Sequence, residues 1–162
     1  MKSSMATLGL MLQRAVKKEN IMESLEIMKR QAPYASGYEN TPTEWQNRAK
    51  QLCWEYNRTA PSEQGKRKEL LRELLGTCSP MTGIEPDFHC DYGFNIHTDG
   101  LVVINYNCVI LDTSPVRIGS GTFLAPGVCL ACSGHAIDPE QRCLPQNSSL
   151  SRRNKGREIG IG

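Results

Sequence analysis

Three histidines, His89, His97 and His135, are the side chains of this sequence best suited to proton transfer at neutral pH. An imidazole accepts a proton near pH 7 and can then hold the charge beside a developing oxyanion. His135 closes the stretch "IGSGTFLAPGVCLACSGH", residues 118–135, and follows Gly134 in a polar segment from which a side chain can face a cleft. On its own, a histidine in a polar loop reads first as a surface residue. His89 precedes Cys90 in a strand-like stretch and His97 lies beside Thr98, so both read as structural or corner residues.

The same stretch carries a rival constellation. Cys129-x2-Cys132-x2-His135, with Cys143 beyond, supplies four side chains of zinc-ligand type. The spacing is not one of the common zinc patterns, and the two cysteines bracket Leu130, which the repeat described next directs inward. A small buried thiol is an ordinary filler for a narrow interior, so no metal is expected. A Cys-x2-Cys redox role lacks the thioredoxin-like strand and helix that would surround it.

What must position His135 is a chain that counts in sixes. Ile118, Leu124 and Leu130 are six apart, and Thr98, Ile104 and Ile110 extend the count backwards. Two residues before each stand Ile96, Val102, Cys108, Val116, Thr122 and Val128, mostly apolar. Between Ile110 and Ile118 the step is eight, as if two residues had been added at one corner. Alternation inside a period of six means very short strands joined by turns of fixed length. A coil of triangular section requires this, because each side must end in register with the side below. The pattern predicts a parallel β-helix with three sixes per coil; the alternative is a small antiparallel sandwich with coincidental spacing. Pro80, Pro86, Pro115 and Pro126 exclude helix over most of residues 78–135.

Before residue 77 the period is helical. Leu8, Leu12 and Ala15, then Ile21, Leu25 and Met28, recur at helical intervals but share no single stripe, which predicts a break near Asn20 or a loosely held extension. Residues 33–40, with Pro, Gly and Asn, read as a loop. Thr41-Pro42-Thr43-Glu44 fits a capping box, with Thr41 as N-cap, Pro42 in the first helical position and Glu44 reaching back. Trp45, Ala49, Leu52 and Tyr56 then form one face of a helix of about four turns. Pro61 and Ser62 start a second helix, whose buried face is Leu70, Leu71, Leu74 and Leu75 before Gly76 ends it.

These residues support a resemblance. Residues 21–162 resemble the maltose and galactoside O-acetyltransferases of the hexapeptide-repeat, left-handed β-helix family, in "MKRQAPYASG", "RAKQLCWEYNRTAPSE" and "RKELLRELLG" within the helical part. The likeness continues through "IEPDFHCDYGFNIH", "NYNCVILDTSPVRIG" and "SGHAIDPEQR". It implies a mainly β fold with an α-helical N-terminal part: a short left-handed parallel β-helix preceded by a helical hairpin. The implied organisation is an extension over residues 1–20, a maltose-acetyltransferase-type helical domain over 21–77 and an incomplete hexapeptide-repeat domain over 78–162, with a loop around 133–157. It further implies a homotrimer that moves an acetyl group from acetyl-CoA, as co-substrate, to a hydroxyl of a sugar or similar small acceptor in clefts between subunits.

The site residues come over by position. His135 in "CSGHAID" matches the family's catalytic histidine and is the candidate general base. Asn105 in "NYN" matches the asparagine placed near the reacting groups, where an amide can donate to the thioester oxygen or hold the acceptor; its bland role is a coil corner, where Asn tolerates left-handed backbone angles. Asp91 and Thr113 lie where relatives carry acceptor-contacting polar residues, and the galactoside enzymes have Ser and Asp there. Ser36 stands where those enzymes have an acidic acceptor ligand. These substitutions bear on the acceptor more than on the reaction.

Composition narrows the rest. The 162 residues carry 19 basic and 17 acidic side chains, for a net charge of +2. Lys66-Arg67-Lys68 and the group Arg152, Arg153, Lys155 and Arg157 read as a solvated helix face and a tail, so no nucleic-acid partner is expected. Seven cysteines, an odd number at irregular intervals, suit free thiols in a reducing cytosol. Gln13 and Arg14 interrupt the weakly apolar start, so no membrane span is expected. Lys2, Arg14, Lys17 and Lys18 precede the first acid, Glu19, in the manner of a degenerate organellar presequence; the cytoplasm is the expected location. The sequence stops at "GREIGIG", where relatives continue with further coils. A solenoid ended in mid-coil exposes an apolar section, so low stability or rescue by oligomerisation is expected. Two functions follow: an acetyl-CoA-dependent O-acetyltransferase, or an inactive or weakly active shortened relative serving as an oligomerisation or interaction module.

Overall fold

A computed structural model describes residues 2–30, 32, 34–36, 41–134, 137, 154–156 and 159–161. Helix α1 (Lys2–Met28) runs without the break expected near Asn20. Its two apolar sets nevertheless behave differently: Leu25 and Met28 are buried, whereas residues 11–20 are all exposed. A continuous backbone ladder thus carries the helix past the point where its buried face ends.

The segment expected as a loop contains a short strand, β1 (Tyr34–Ser36). Helix α2 (Thr43–Arg58) begins one residue later than the capping-box reading requires, and its N-cap, Pro42, makes no side-chain cap bond. Thr41 contributes its carbonyl, which accepts from Thr43 N at 2.8 Å, rather than its hydroxyl. A Glu does reach back at the next start: Glu63 Oε2 accepts from Ala60 N, at 3.2 Å, just before α3 (Gln64–Leu74).

Ala49, Leu52 and Tyr56 on α2 and Leu70, Leu71 and Leu74 on α3 are buried, as their spacing predicts, while Trp45 stays at the rim with its ring edge-on to Phe94. The hairpin docks on the coil through polar groups as well. Arg67 is buried, and its guanidinium donates to Tyr56 Oη at 2.9 Å, Ile84 O at 3.1 Å and Thr59 O at 3.3 Å. A buried charge without such partners would cost several kcal/mol, on the order of a whole domain's margin of stability. Asn57 uses its amide as a strand edge, donating to Phe88 O and accepting from Phe88 N. At the joint, a Cβ on Gly76 would collide with the Phe94 carbonyl, so only glycine lets α3 turn into the coil so closely.

The hexads become three parallel ladders. One face stacks β2 (Thr82–Ile84), β5 (Val102–Ile104) and β8 (Thr122–Leu124). The second stacks β3 (His89–Cys90), β6 (Val109–Leu111) and β9 (Cys129–Ala131). The third stacks β4 (Ile96–Thr98), β7 (Val116–Ile118) and β12 (Ile159–Ile161). Ile96, Val102, Ile104, Cys108, Ile110 and Val116 point inward and are fully buried, each worth about 1.5–3 kcal/mol relative to exposure. Leu124 is buried too, and Val128 and Leu130 are partly buried against the same core.

The coil differs from three sixes in one respect. Thr82 pairs with Val102 and Val102 with Thr122, while Cys90 pairs with Ile110 and Ile110 with Leu130, a step of twenty residues each time. The two added residues seen between Ile110 and Ile118 therefore recur between Cys90 and Thr98. They stack on one edge of the prism, because parallel pairing tolerates an insertion only where the coil above carries the same one.

Candidate active site

The widened edge is the corner between β3 and β4 in one coil and between β6 and β7 in the next. Two extra residues leave the Tyr92 and Asn95 N–H groups facing the interior with no ladder partner, while Asp91 N keeps a ladder bond to Ile110 O at 3.3 Å, and a buried N–H needs an acceptor. Asp112 supplies it. Its side chain is fully buried; Oδ1 accepts from Tyr92 N at 2.8 Å and Asp91 N at 3.1 Å, and Oδ2 accepts from Asn95 N at 3.3 Å. Burial pushes the Asp112 carboxyl up to about 7, against the opposing pull of those N–H donors, and the nearby Asp91 adds to the rise. Asn95 is buried as well and donates through Nδ2 to Asp112 O at 3.0 Å and to Met28 O at 3.2 Å, tying the end of α1 to the corner.

Asp91 lies on this corner, half-buried, with its carboxyl raised by burial and partly restored by Lys50. Thr113 lies one coil on, next to Asp112, and its carbonyl accepts from the Tyr34 hydroxyl. Burial raises Tyr34 to about 12, so it stays a neutral donor. The Thr113 and Ser114 hydroxyls are buried beside the Tyr34 hydroxyl without a well-formed hydrogen bond among the described residues.

Ser36 arrives by a different route. Strand β1 pairs antiparallel with β11 (Asn154–Gly156), which pairs in turn with β10 (Ser133–Gly134). In this register Ser36 faces Asn154, and Ser133 faces Gly156. The small sheet straps a segment that precedes the hairpin to the chain leaving the second face, beside the widened corner. His135 follows directly on β10 and lies outside the described residues, as do Cys143 and the basic side chains at 152 and 153.

Ser36, Asp91 and Thr113 are thus brought to one edge of the prism. Asn105 is not among them. It sits at the start of the corner between β5 and β6, across the length of β6 from Thr113. Its Oδ1 accepts from Tyr106 N at 2.8 Å, and the left-handed residue of that corner is Asn107, φ 59°, rather than Asn105. His89 is exposed on β3, and His97 on β4 shares a 3.2 Å hydrogen bond with Thr77. Of the zinc-type set, Cys129 is exposed while Cys132 is buried and donates to Ser114 O at 3.4 Å, so the two thiols face different surroundings. Among the described residues no cluster of His, Cys, Asp and Glu is arranged to hold a metal ion.

Sequence reading overlooked Tyr34, Asn95 and Asp112. The eight-residue step was their one visible signal, since the added residues had to be held by something polar.

A triangular parallel coil capped by a helical hairpin defines a class, the left-handed β-helices of the hexapeptide-repeat proteins. Residues 28–79 match the maltose acetyltransferase hexapeptide capping motif. Nodulation protein L of Rhizobium leguminosarum bv. viciae is 48% identical over 87 residues, 54% of this chain and 46% of the relative. The galactoside O-acetyltransferase of Escherichia coli K12 is 37% identical over 95 residues, 59% of this chain and 47% of the relative. A hexapeptide-repeat acetyltransferase of Vibrio cholerae, solved with acetyl coenzyme A, superposes with a TM-score of 0.70 at 25% identity, over 83% of this chain and 68% of that one. The chain is thus similar to the maltose and galactoside O-acetyltransferases in its capping motif, its sequence and its fold. It spans about half the length of the curated relatives it matches.

Proposed function

We propose that this protein transfers an acetyl group from acetyl-CoA to a hydroxyl of a sugar or similar small acceptor, with His135 as general base. The observation that carries the reading is the strapped, widened corner: it gathers Ser36, Asp91 and Thr113 beside the strand that ends at Gly134, immediately before His135. The imidazole takes the proton of the acceptor hydroxyl as its oxygen attacks the thioester carbonyl. The tetrahedral oxyanion then collapses, and the CoA thiolate leaves with that proton. Acetyl-CoA as donor is supported by the complex of the Vibrio cholerae relative.

Asn105 lies too far round the prism to join this corner within one chain, which favours a homotrimer with clefts between subunits, where Asn105 of one copy completes the site of the next. The outward apolar side chains Leu101, Tyr106 and Phe123, about half to two-thirds exposed, suit such a packing face. No helix among the described residues is long and apolar enough to cross a membrane, and the thiols of Cys53, Cys78, Cys90, Cys108, Cys129 and Cys132, outside any disulfide, suit the reducing cytoplasm.

The test is an acetyl-CoA assay of the purified protein with a panel of sugars, beside His135→Ala. A general base is worth on the order of 10²–10⁴ in rate, so kcat should fall by at least about a hundredfold. Absence of transfer by the wild-type protein, or transfer that ignores His135, sinks the reading and leaves the interaction module in its place.

A further inference from the structure

We propose that Asp112 is a positioning residue for the acceptor: it clasps the Asp91 turn, the end of α1 and strand β1 into one fixed acceptor-facing corner. The inference rests on the acetyltransferase reading above and names a residue that reading does not use.

Three connections meet at Asp112 and its neighbour Thr113. The side chain holds the backbone on both sides of the turn, through the N–H groups of Asp91, Tyr92 and Asn95. The Asp112 carbonyl holds the Asn95 amide, whose other bond reaches Met28 O at the end of α1. The next carbonyl, that of Thr113, holds the Tyr34 hydroxyl and with it β1, the strand that carries Ser36. Asp91, Thr113 and Ser36 come from sequence positions up to 77 residues apart, and Asp112 or its direct neighbour touches the backbone or strand that carries each.

Packing alone gives no reason for a carboxylate here. Burying one is costly, and well-packed apolar side chains often replace buried ionic groups without loss of stability. What an apolar residue cannot do is accept three N–H groups that fan out from a single turn. The carboxylate therefore sets the direction in which Asp91 leaves the coil, while the regular corner at residues 105–108, without added residues, needs no such group.

The test compares the wild-type protein with Asp112→Asn, which keeps the volume but turns one acceptor oxygen into a donor facing N–H groups. With maltose or methyl β-galactoside as acceptor, the acceptor KM should rise at least about tenfold. The acetyl-CoA KM and the acceptor-independent hydrolysis of acetyl-CoA should change by less than about twofold. Asp91→Asn should add little in the Asp112→Asn background, because residues that act as one unit are not additive. Equal rises in both KM values, or full additivity, overturn the proposal.

If the wild-type protein acetylates neither sugar, it is the proposed function that fails, and the clasp is read without turnover. Amide hydrogen exchange at residues 34–36 and 91–95 should then accelerate at least about tenfold in Asp112→Asn, with Val103 and Val109 unchanged. Exchange unchanged at the corner, or raised uniformly, overturns the clasp. Should Asp112→Asn not fold, Tyr34→Phe removes only the donation to the Thr113 carbonyl and is expected to loosen residues 34–36 locally; unaltered exchange there is equally fatal.

Discussion

The corner between β5 and β6 and the corner between β6 and β7 belong to the same coil, yet they are closed by different means. At the first, the chain turns within the hexad: Asn107 takes a left-handed angle and Asn105 caps its own neighbour, so no other element is needed. At the second, two added residues bulge from the hexad over the same insertion between β3 and β4; Asp112 and Asn95 hold the two turns together, and Met28 and Tyr34 tie them to α1 and β1. A repeat can thus build a rod by itself. A site requires a departure from the repeat that recruits groups from elsewhere in the chain.

The largest effect should come from breaking what the two corners share. Ile104 and Ile110 lie in the dry interior that both corners enclose. Ile104→Ala should cost about 3–4 kcal/mol in a denaturant melt, the range for a truncated core isoleucine whose surroundings cannot collapse. A loss below about 1 kcal/mol would mean that the coil interior is not close-packed.

Next in size is a pH effect confined to the widened corner. The Asp112 carboxyl sits near 7 in the folded protein, above its unfolded value of about 3.9, so folding favours its protonated form. Its contribution to stability is then full below about pH 4 and is lost as pH rises through about 7. Relative to Asp112→Asn, the wild-type protein should lose on the order of 3 kcal/mol of advantage between pH 4 and pH 7.5. Asp91 is present in both proteins, so its own titration largely cancels. Melts whose difference is flat with pH contradict the assignment.

The smallest effect sharpens the regular corner. Asn107→Ala should destabilise by about 1 kcal/mol, because alanine keeps the β-carbon at φ 59° but loses the polar side chain that lets Asn tolerate that angle, whereas Asn107→Gly, which removes the β-carbon, should be neutral within about 0.5 kcal/mol. Equal losses from both substitutions would show that the Asn107 side chain, and not its backbone angle, closes that corner.

Much of the fold is written in side-chain periodicity. The sixes alone put Ile96, Val102, Ile104, Ile110, Val116 and Ile118 in the interior, and helical spacing does the same for Ala49, Leu52, Tyr56, Leu70, Leu71 and Leu74; all are buried. Local start signals were less dependable. The expected capping box at Thr41 gave way to a bare Pro42 N-cap, because Thr41 meets the helix with its carbonyl, and the tetrapeptide alone does not say which group will face the N–H donors.

Of the candidate site, residue identities were legible and their grouping was not. Asp91 and Thr113 could be named by position, but nothing local says that Thr113 meets Tyr34, 79 residues earlier, or that Asn105 lies on another edge. The sequence by itself determined which side chains face inward, since burial rewards each apolar residue one at a time in proportion to its area. Only the tertiary structure decided how the recurring two-residue insertion closes: backbone N–H groups in a widened turn bond to whatever acceptor the rest of the chain delivers, and at this edge that acceptor is Asp112.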